Sequence, residues 1–446
     1  MNLDQIKNVL RDNGIVGAGG AGFPTYAKLD KKADTIILNC AECEPLLRLH
    51  RQVLKMFTFE ILSTLDLISK IIEAENVYIG IKGSYKRTLE SVENELVSFP
   101  NMKVCKLPEV YPAGDEVVLT YEATGRVVPA GSIPLSVGVT VLNVETVYNI
   151  YRALEGTPVT HKYVTVAGEV KNPITVYAPI GAPLQNLIDM AGGVTIEDPA
   201  YLLGGPMMGT LGSPLNTVTK TTNAILVLPK SLPLIQRRLS KTSIDLKRAM
   251  SACCQCSYCT SLCPRQLLGH PVDPSAFMYA ASNHVTHDVM PYVNSMFCSS
   301  CGLCELYSCG QGLSPRSLLT AAKNGLRQNG LKVPSDPDMS GVHPDRNYRM
   351  IPLSRLRSRL GLNPYNKSAP VVEDEVKCQK LKIAISQHIG APAVPVVQKG
   401  DKVSANQMIA APAENALSAA IHSPLDGTVT DINKKYITIS VKGGTE

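Results

Sequence analysis

The chain has 446 residues, 44% of them hydrophobic and 18% charged, with a formal net charge of +6. That length exceeds one ordinary core and points to about three domains, and the composition is globular rather than disordered. The small positive balance contains no dense Lys/Arg run, so nucleic-acid binding has no support.

No stretch approaches about 18 uninterrupted apolar residues, so no integral membrane segment is expected. The opening MNLDQIKNVLRDNG carries acids and lacks an apolar core, unlike a secretory signal. Thirteen cysteines without an export signal suit a reducing, cytoplasmic setting, where metal ligation outranks disulfides.

In chain order, Leu3, Ile6, Val9 and Leu10 recur at helical spacing, with Asn13-Gly14 as the stop. A glycine-rich loop follows, then an apolar strand at Thr35–Leu38. An amphipathic helix is expected over 53–75, a strand over Asn76–Ile81 and a helix over Lys86–Val97. This alternation predicts an α/β domain over 1–158. Next, Lys162–Val170 and Thr175–Tyr177 form a hairpin about Lys171-Asn172-Pro173, and Pro183–Met190 forms a short helix. One hairpin on one helix describes a β-grasp module over 159–235. An α-helical, cysteine-rich, two-cluster ferredoxin-like domain over 236–335 follows. A linker or wrapping segment over 336–378, rich in Pro, Ser, Arg and Asp, leads to a small all-β module over 379–446. The fold class is multidomain, α/β and α+β.

The cysteines carry the strongest signal. A 4Fe–4S cubane needs four thiolates on one centre, and in Cys253-x2-Cys256-x2-Cys259-x3-Cys263-Pro264 the two-residue gaps let a tight loop supply three, with a fourth from further along the chain. Cys298-x2-Cys301-x2-Cys304-x4-Cys309 repeats the pattern, with one extra residue before the last cysteine and Gly310 in place of proline. By the two-cluster ferredoxin pattern the ligands cross over. Cys253, Cys256 and Cys259 go with Cys309, and Cys298, Cys301 and Cys304 go with Cys263. Structural zinc fits three successive cysteines at two-residue gaps followed by a fourth poorly. Cys254 lies off the register and reads as a spare thiol.

Gly17-Ala18-Gly19-Gly20-Ala21-Gly22 satisfies G-x-G-x-x-G, but a helix precedes it and no helix opens within it, so the dinucleotide fingerprint fails on context. The longer string GAGGAGFPTYAK resembles the flavin-binding loop of the NADH-oxidising subunit of complex I and of the Rnf-complex C subunit. Asn39-Cys-Ala-Glu42-Cys-Glu44-Pro45, Tyr111-Pro-Ala-Gly114-Asp115-Glu116 and Asn143-Val144-Glu145-Thr146 match the same family in order. The resemblance implies FMN held by Gly17, Gly19, Gly20 and Gly22, with Lys28 supplying charge. Asn39, Glu42, Glu44 and Glu116 would bond the ribityl hydroxyls and ring edge, and Asn143 and Thr146 the phosphate. NADH is the donor it implies. Val164–Gly193, then Gly204-Gly205-Pro206-Met207-Met208-Gly209, resembles the soluble-ligand-binding module of that family.

His388-Ile-Gly-Ala-Pro392, Gly400-Asp401 and His422-Ser-Pro-Leu-Asp426-Gly427 resemble the barrel-sandwich module of the Rnf C subunit, moved here to the C-terminal end. No lysine stands out at a hairpin tip to accept lipoate, and His388 and His422 read as turn-packing residues. This domain order, with Arg349-Met-Ile-Pro352 and Arg359-Leu-Gly-Leu362, resembles the cobalamin reductases of the propanediol-utilisation microcompartment. That family implies two 4Fe–4S clusters, FMN and NADH serving a corrinoid acceptor. It also implies a partner adenosyltransferase, shell or lumen proteins as neighbours, a place inside a bacterial microcompartment, and room for an oligomer. The competing readings are an electron-transfer subunit without its own substrate turnover and a redox-sensing structural protein.

Overall fold

The computed structural model describes residues 1–442. Helix Leu3–Asp12 starts from a capping box in which Asn2 and Gln5 satisfy each other's backbone, and Asn13 closes it. Four parallel strands follow, lying side by side in the order Met102–Leu107, Asn76–Lys82, Thr35–Cys40 and Val139–Asn143. Their β-branched residues are buried on both faces, as parallel strands require. The chain moves outward from Thr35–Cys40 and then returns to its other side. The order therefore reverses where Asn39 lies opposite Asn143, and open α/β sheets bind ligands at such a switch point.

The single helix expected over 53–75 is two, Leu49–Met56 and Thr58–Ile72. Phe57 leaves the helical conformation between them, and its ring stacks on Tyr148 at a centroid distance of 4.0 Å. A long-range aromatic contact thus breaks a continuous local pattern.

The hairpin His161–Gly168 with Ile174–Pro179 forms as expected, but it is the middle of a larger sheet. Ala224–Pro229, Pro199–Leu203 and Thr210–Gly212 extend one side, and Val371–Val372 adds to the other. One hairpin on one helix would bury too little surface alone; the six-stranded sheet supplies the missing area.

Residues 336–378 wrap across the other units. Ile351–Pro352 pairs with Val110–Tyr111, helix Leu353–Arg359 buries Leu356, and Val371–Val372 joins the second sheet. The last described residues form two small antiparallel sheets, of four and three strands. Lys434 and Lys435, exposed between the paired strands Gly427–Ile432 and Tyr436–Val441, do occupy a hairpin tip. This corrects the sequence reading, which found no such lysine. Residues 443–446 of the all-β module lie outside the described residues.

Candidate functional site

The glycine loop lies over the switch point. Val16 and Pro24 bridge its ends, and the Gly17 amide donates to the Phe23 carbonyl at 2.9 Å. The Ala18 amide donates to Thr146 Oγ1 at 2.9 Å, which ties the loop to the first turn of helix Val144–Leu154. Asn143 caps that helix, accepting from the Glu145 and Thr146 amides. A Cβ on Gly19 would stand 2.5 Å from Asn143 Nδ2, whereas one on Gly20 would meet nothing within 4 Å. Gly19, Gly20 and Ala21 are exposed. Exposed amides beside a helix N-terminus suit a phosphate.

His50 completes this corner, its Nε2 lying 3.1 Å from Asn143 Nδ2. Burial, followed by the nearby Lys162 charge, pushes its pKa down to about 3, so the ring is neutral and accepts from the amide. Glu145 is ion-paired with Lys162 of the second sheet, and both are fully buried. This corner is thereby fixed to the β-grasp unit.

Lys28 Nζ donates to Glu116 at 2.5 Å and to the Val141 carbonyl at 3.2 Å. Asn39 Nδ2 donates to the Gly114 carbonyl at 3.0 Å, so the strand end and the Tyr111–Glu116 loop share one wall. The structure thus gathers the glycine loop, Lys28, Asn39, Glu116, Asn143 and Thr146 around the ends of two adjacent strands. Glu42 and Glu44 are engaged by backbone amides. The buried Glu42 carboxylate accepts from the His50 and Arg51 amides, at 2.7 and 3.3 Å. Glu44 accepts from the Met207 and Met208 amides at 2.7 and 2.9 Å, and burial raises its pKa to about 7. A Cβ on Gly205 would collide with the Glu44 carboxyl, which explains the glycine there.

Beyond that wall are the cysteines. Cys253, Cys256, Cys259 and Cys309 line one cavity of about 600 Å³. Cys298, Cys301, Cys304 and Cys263 form a second group, in which burial raises Cys263 to about 12 and the other three act on it or on one another. These two sets are the crossed assignment. The extra residue before Cys309 is absorbed by a π-helical turn, Cys304–Ser308, which returns Cys309 to the first set.

Both arrays bend alike. Gln255 and Ser257 flank Cys256 with φ of 54° and 61°, and Ser300 and Gly302 flank Cys301 with φ of 59° and 84°. Three of these are not glycine, and each left-handed residue costs about 1 kcal/mol. Backbone amides donate to sulfur in both groups: Ser300, at one of these bends, to Cys298 Sγ, and Leu313, beyond the arrays, to Cys309 Sγ, both at 3.3 Å. Such bonds stabilise thiolate-bound clusters. Among the described residues no three His, Cys, Asp or Glu close into a mononuclear site.

The Tyr111–Glu116 loop joins the two halves. Its inner side carries the Gly114 carbonyl and Glu116, and its outer side reaches the second cysteine group. Tyr111 Oη donates to the Cys301 carbonyl at 2.7 Å, and Asp115 holds Arg265, two residues after Cys263, through bonds of 2.8 and 2.9 Å. The sequence reading takes only Glu116 from this motif. Tyr111 and Asp115 are legible there as members, and Arg265 follows Cys263-Pro264, but only folding shows that they meet.

Residues 10–152 match the Nuo51 FMN-binding domain, 163–211 the SLBB domain, 252–314 the 4Fe-4S dicluster domain and 362–443 the RnfC barrel sandwich hybrid domain. Fold and site together define an electron-transferring reductase of the flavin and iron–sulfur class. Over 441 residues the chain is 39% identical to the "Cobalamin reductase PduS" of Salmonella typhimurium, covering 98% of this chain and 97% of that one. The protein of that name from Citrobacter freundii is also 39% identical, over 97% and 96% of the two chains. The chain belongs to the PduS cobalamin reductase family. It is 35% identical to the C component of the Na(+)-translocating ferredoxin:NAD(+) oxidoreductase complex of Acetobacterium woodii, over 60% and 59% of the two chains. A chain of NAD+-reducing NiFe-hydrogenase shares the fold, with a TM-score of 0.50 and 19% identity over 75% of this chain and 64% of that one. Among the described residues no helix is long and apolar enough to cross a membrane.

Proposed function

We propose that this chain takes electrons from NADH through FMN and passes them, by two 4Fe–4S clusters, to a corrinoid. FMN, when bound, accepts a hydride pair and releases single electrons, and the clusters carry one electron at a time. The observation that carries this reading is the Tyr111–Glu116 loop, which touches the flavin corner on one side and the Cys301 group on the other.

On this reading the chain's residues have distinct tasks. The Gly19–Ala21 amides and the helix N-terminus held by Asn143 bind the phosphate, and Lys28, paired with Glu116, orients the ring end. Glu42 and Glu44 position rather than contact: Glu42 fixes the start of helix Leu49–Met56, and Glu44 seats the Gly204–Gly209 loop against Gly302, beside Cys301. The buried second group relays, and the first group, with Cys256 exposed, delivers. The resemblance to the cobalamin reductases further supports a corrinoid adenosyltransferase as partner and a microcompartment as location. The divisions at 158, 235, 335 and 378 are proposed as the domain boundaries.

Anaerobic purification and quantitation test this directly. About eight irons, eight sulfides and one FMN per chain are expected, with NADH bleaching the flavin and hydroxocobalamin then reoxidising the protein. Zinc in place of iron, or a flavin spectrum unchanged by NADH, sinks the relay or the donor respectively.

A further inference from the structure

Beside the exposed cysteine group lies a second concavity, of about 510 Å³, lined by Tyr307, Ser354, Arg355, Ser358 and Arg359. It is continuous with the Cys253–Cys309 cavity, because Tyr307 and Arg355 line both. No carboxylate lines either one.

Arg355 and Arg359 are one helical turn apart on Leu353–Arg359, exposed, and without an ion pair or hydrogen bond among the described residues. Their neighbours are engaged: Arg357 donates to Asn363, Arg349 to Asp345 and Arg316 to Glu305. Like charges at this spacing destabilise a helix, so an uncompensated pair is a feature that an anion would relieve. The guanidinium fork matches a phosphate bidentately, and the Ser354 hydroxyl is free to add a donor. A small concavity of this kind fits a small ligand, whereas a stable protein interface buries on the order of 1,600 Å². At the adjoining mouth Tyr348 is 91% exposed and Tyr258 60%, two aromatic faces with nothing stacked on them.

We propose that this groove binds the phosphodiester of a corrinoid's nucleotide loop, which lays the flat ring across Tyr348 and Tyr258 at the cavity mouth. The inference rests on the corrinoid reading above and adds the place and the anchoring group. It requires the ligand to carry its anion to one side of the redox centre, as a complete cobalamin does and a cobinamide, lacking the nucleotide loop, does not.

The test is equilibrium dialysis of hydroxocobalamin and of diaquocobinamide against the anaerobic holoprotein and its Arg355→Ala/Arg359→Ala variant. Charge-assisted bonds are the stronger class of hydrogen bond, so cobalamin binding is expected to weaken about tenfold or more. Cobinamide binding stays unchanged. Iron and flavin content is the control for folding, since both side chains are exposed. Unaltered cobalamin binding, or equal weakening of both corrinoids, overturns the groove. Discriminating binding with no reduction by dithionite-treated protein keeps the groove and overturns the reductase reading, and reduction without discrimination does the reverse.

Discussion

The two cysteine arrays have the same backbone and opposite surroundings. Each places left-handed residues on both sides of its middle cysteine, at Gln255 and Ser257 in one and Ser300 and Gly302 in the other. Yet Cys256 is exposed, whereas Cys301 and Cys304 are buried against the Tyr111 loop and the Glu305–Arg316 pair. Ligand spacing therefore determines the local bend, and position in the fold determines solvent access. Since exposure and hydrogen bonding tune cluster potentials, two similar loops can hold different rungs of one electron path.

Removing one ligand from each array gives the largest expected contrast. Cys304→Ser and Cys256→Ser should each lower iron from about eight to about four per chain. Only Cys304→Ser should also stop flavin electrons from reaching the remaining cluster, because the buried group adjoins the flavin wall. Rapid-mixing spectra after NADH addition read this difference. Equal rates in the two variants would abolish the distinction between relay and delivery.

The joint between the halves comes next. Asp115→Ala leaves the Arg265 guanidinium largely buried without its partner, a change that typically costs about 3–5 kcal/mol. Urea denaturation should register a loss at the lower end of that range, since both side chains keep some solvent contact. A change below about 1 kcal/mol would mean that the halves are not coupled through this pair.

The smallest effect concerns Glu44. Its folded pKa of about 7 lies above the ordinary carboxylate value because burial disfavours the charge. The folded protein therefore holds that proton more tightly than the unfolded chain does. Stability from this group is full at low pH and is lost as pH rises from about 4.5 towards 7. Residual solvent contact limits the loss to about 1–2 kcal/mol. Glu44→Gln should flatten stability against pH across that window, and an unchanged slope would assign the dependence to another group.

Much of this was legible in the chain itself. The grouping of the eight cysteines into two sets of four follows from their spacing, and the four segments around Asn39 and Asn143 were picked out by their resemblance to a flavin-binding family, because cluster ligation and phosphate binding each demand short local patterns. The helix break at Phe57 was not legible, since its cause is Tyr148, far along the chain. Nor were the amide partners of Glu42 and Glu44, because a carboxylate beside a glycine loop gives no sign of which amides it will meet. The irregular spacing at Cys309 gave warning, but only the π-turn shows how the extra residue is accommodated.

By itself, then, the sequence determined the chemistry available here: which thiols can grip iron, which glycines leave amides bare, and which strands must be buried. The tertiary structure alone decided the geometry of transfer. It set Asn39 beside Asn143, turned one loop to face both the glycine-loop corner and the thiols, and left one cysteine group open beside two unpaired arginines. Covalent neighbours fix bond angles and local bends, whereas proximity between distant segments arises only when those segments bury surface together.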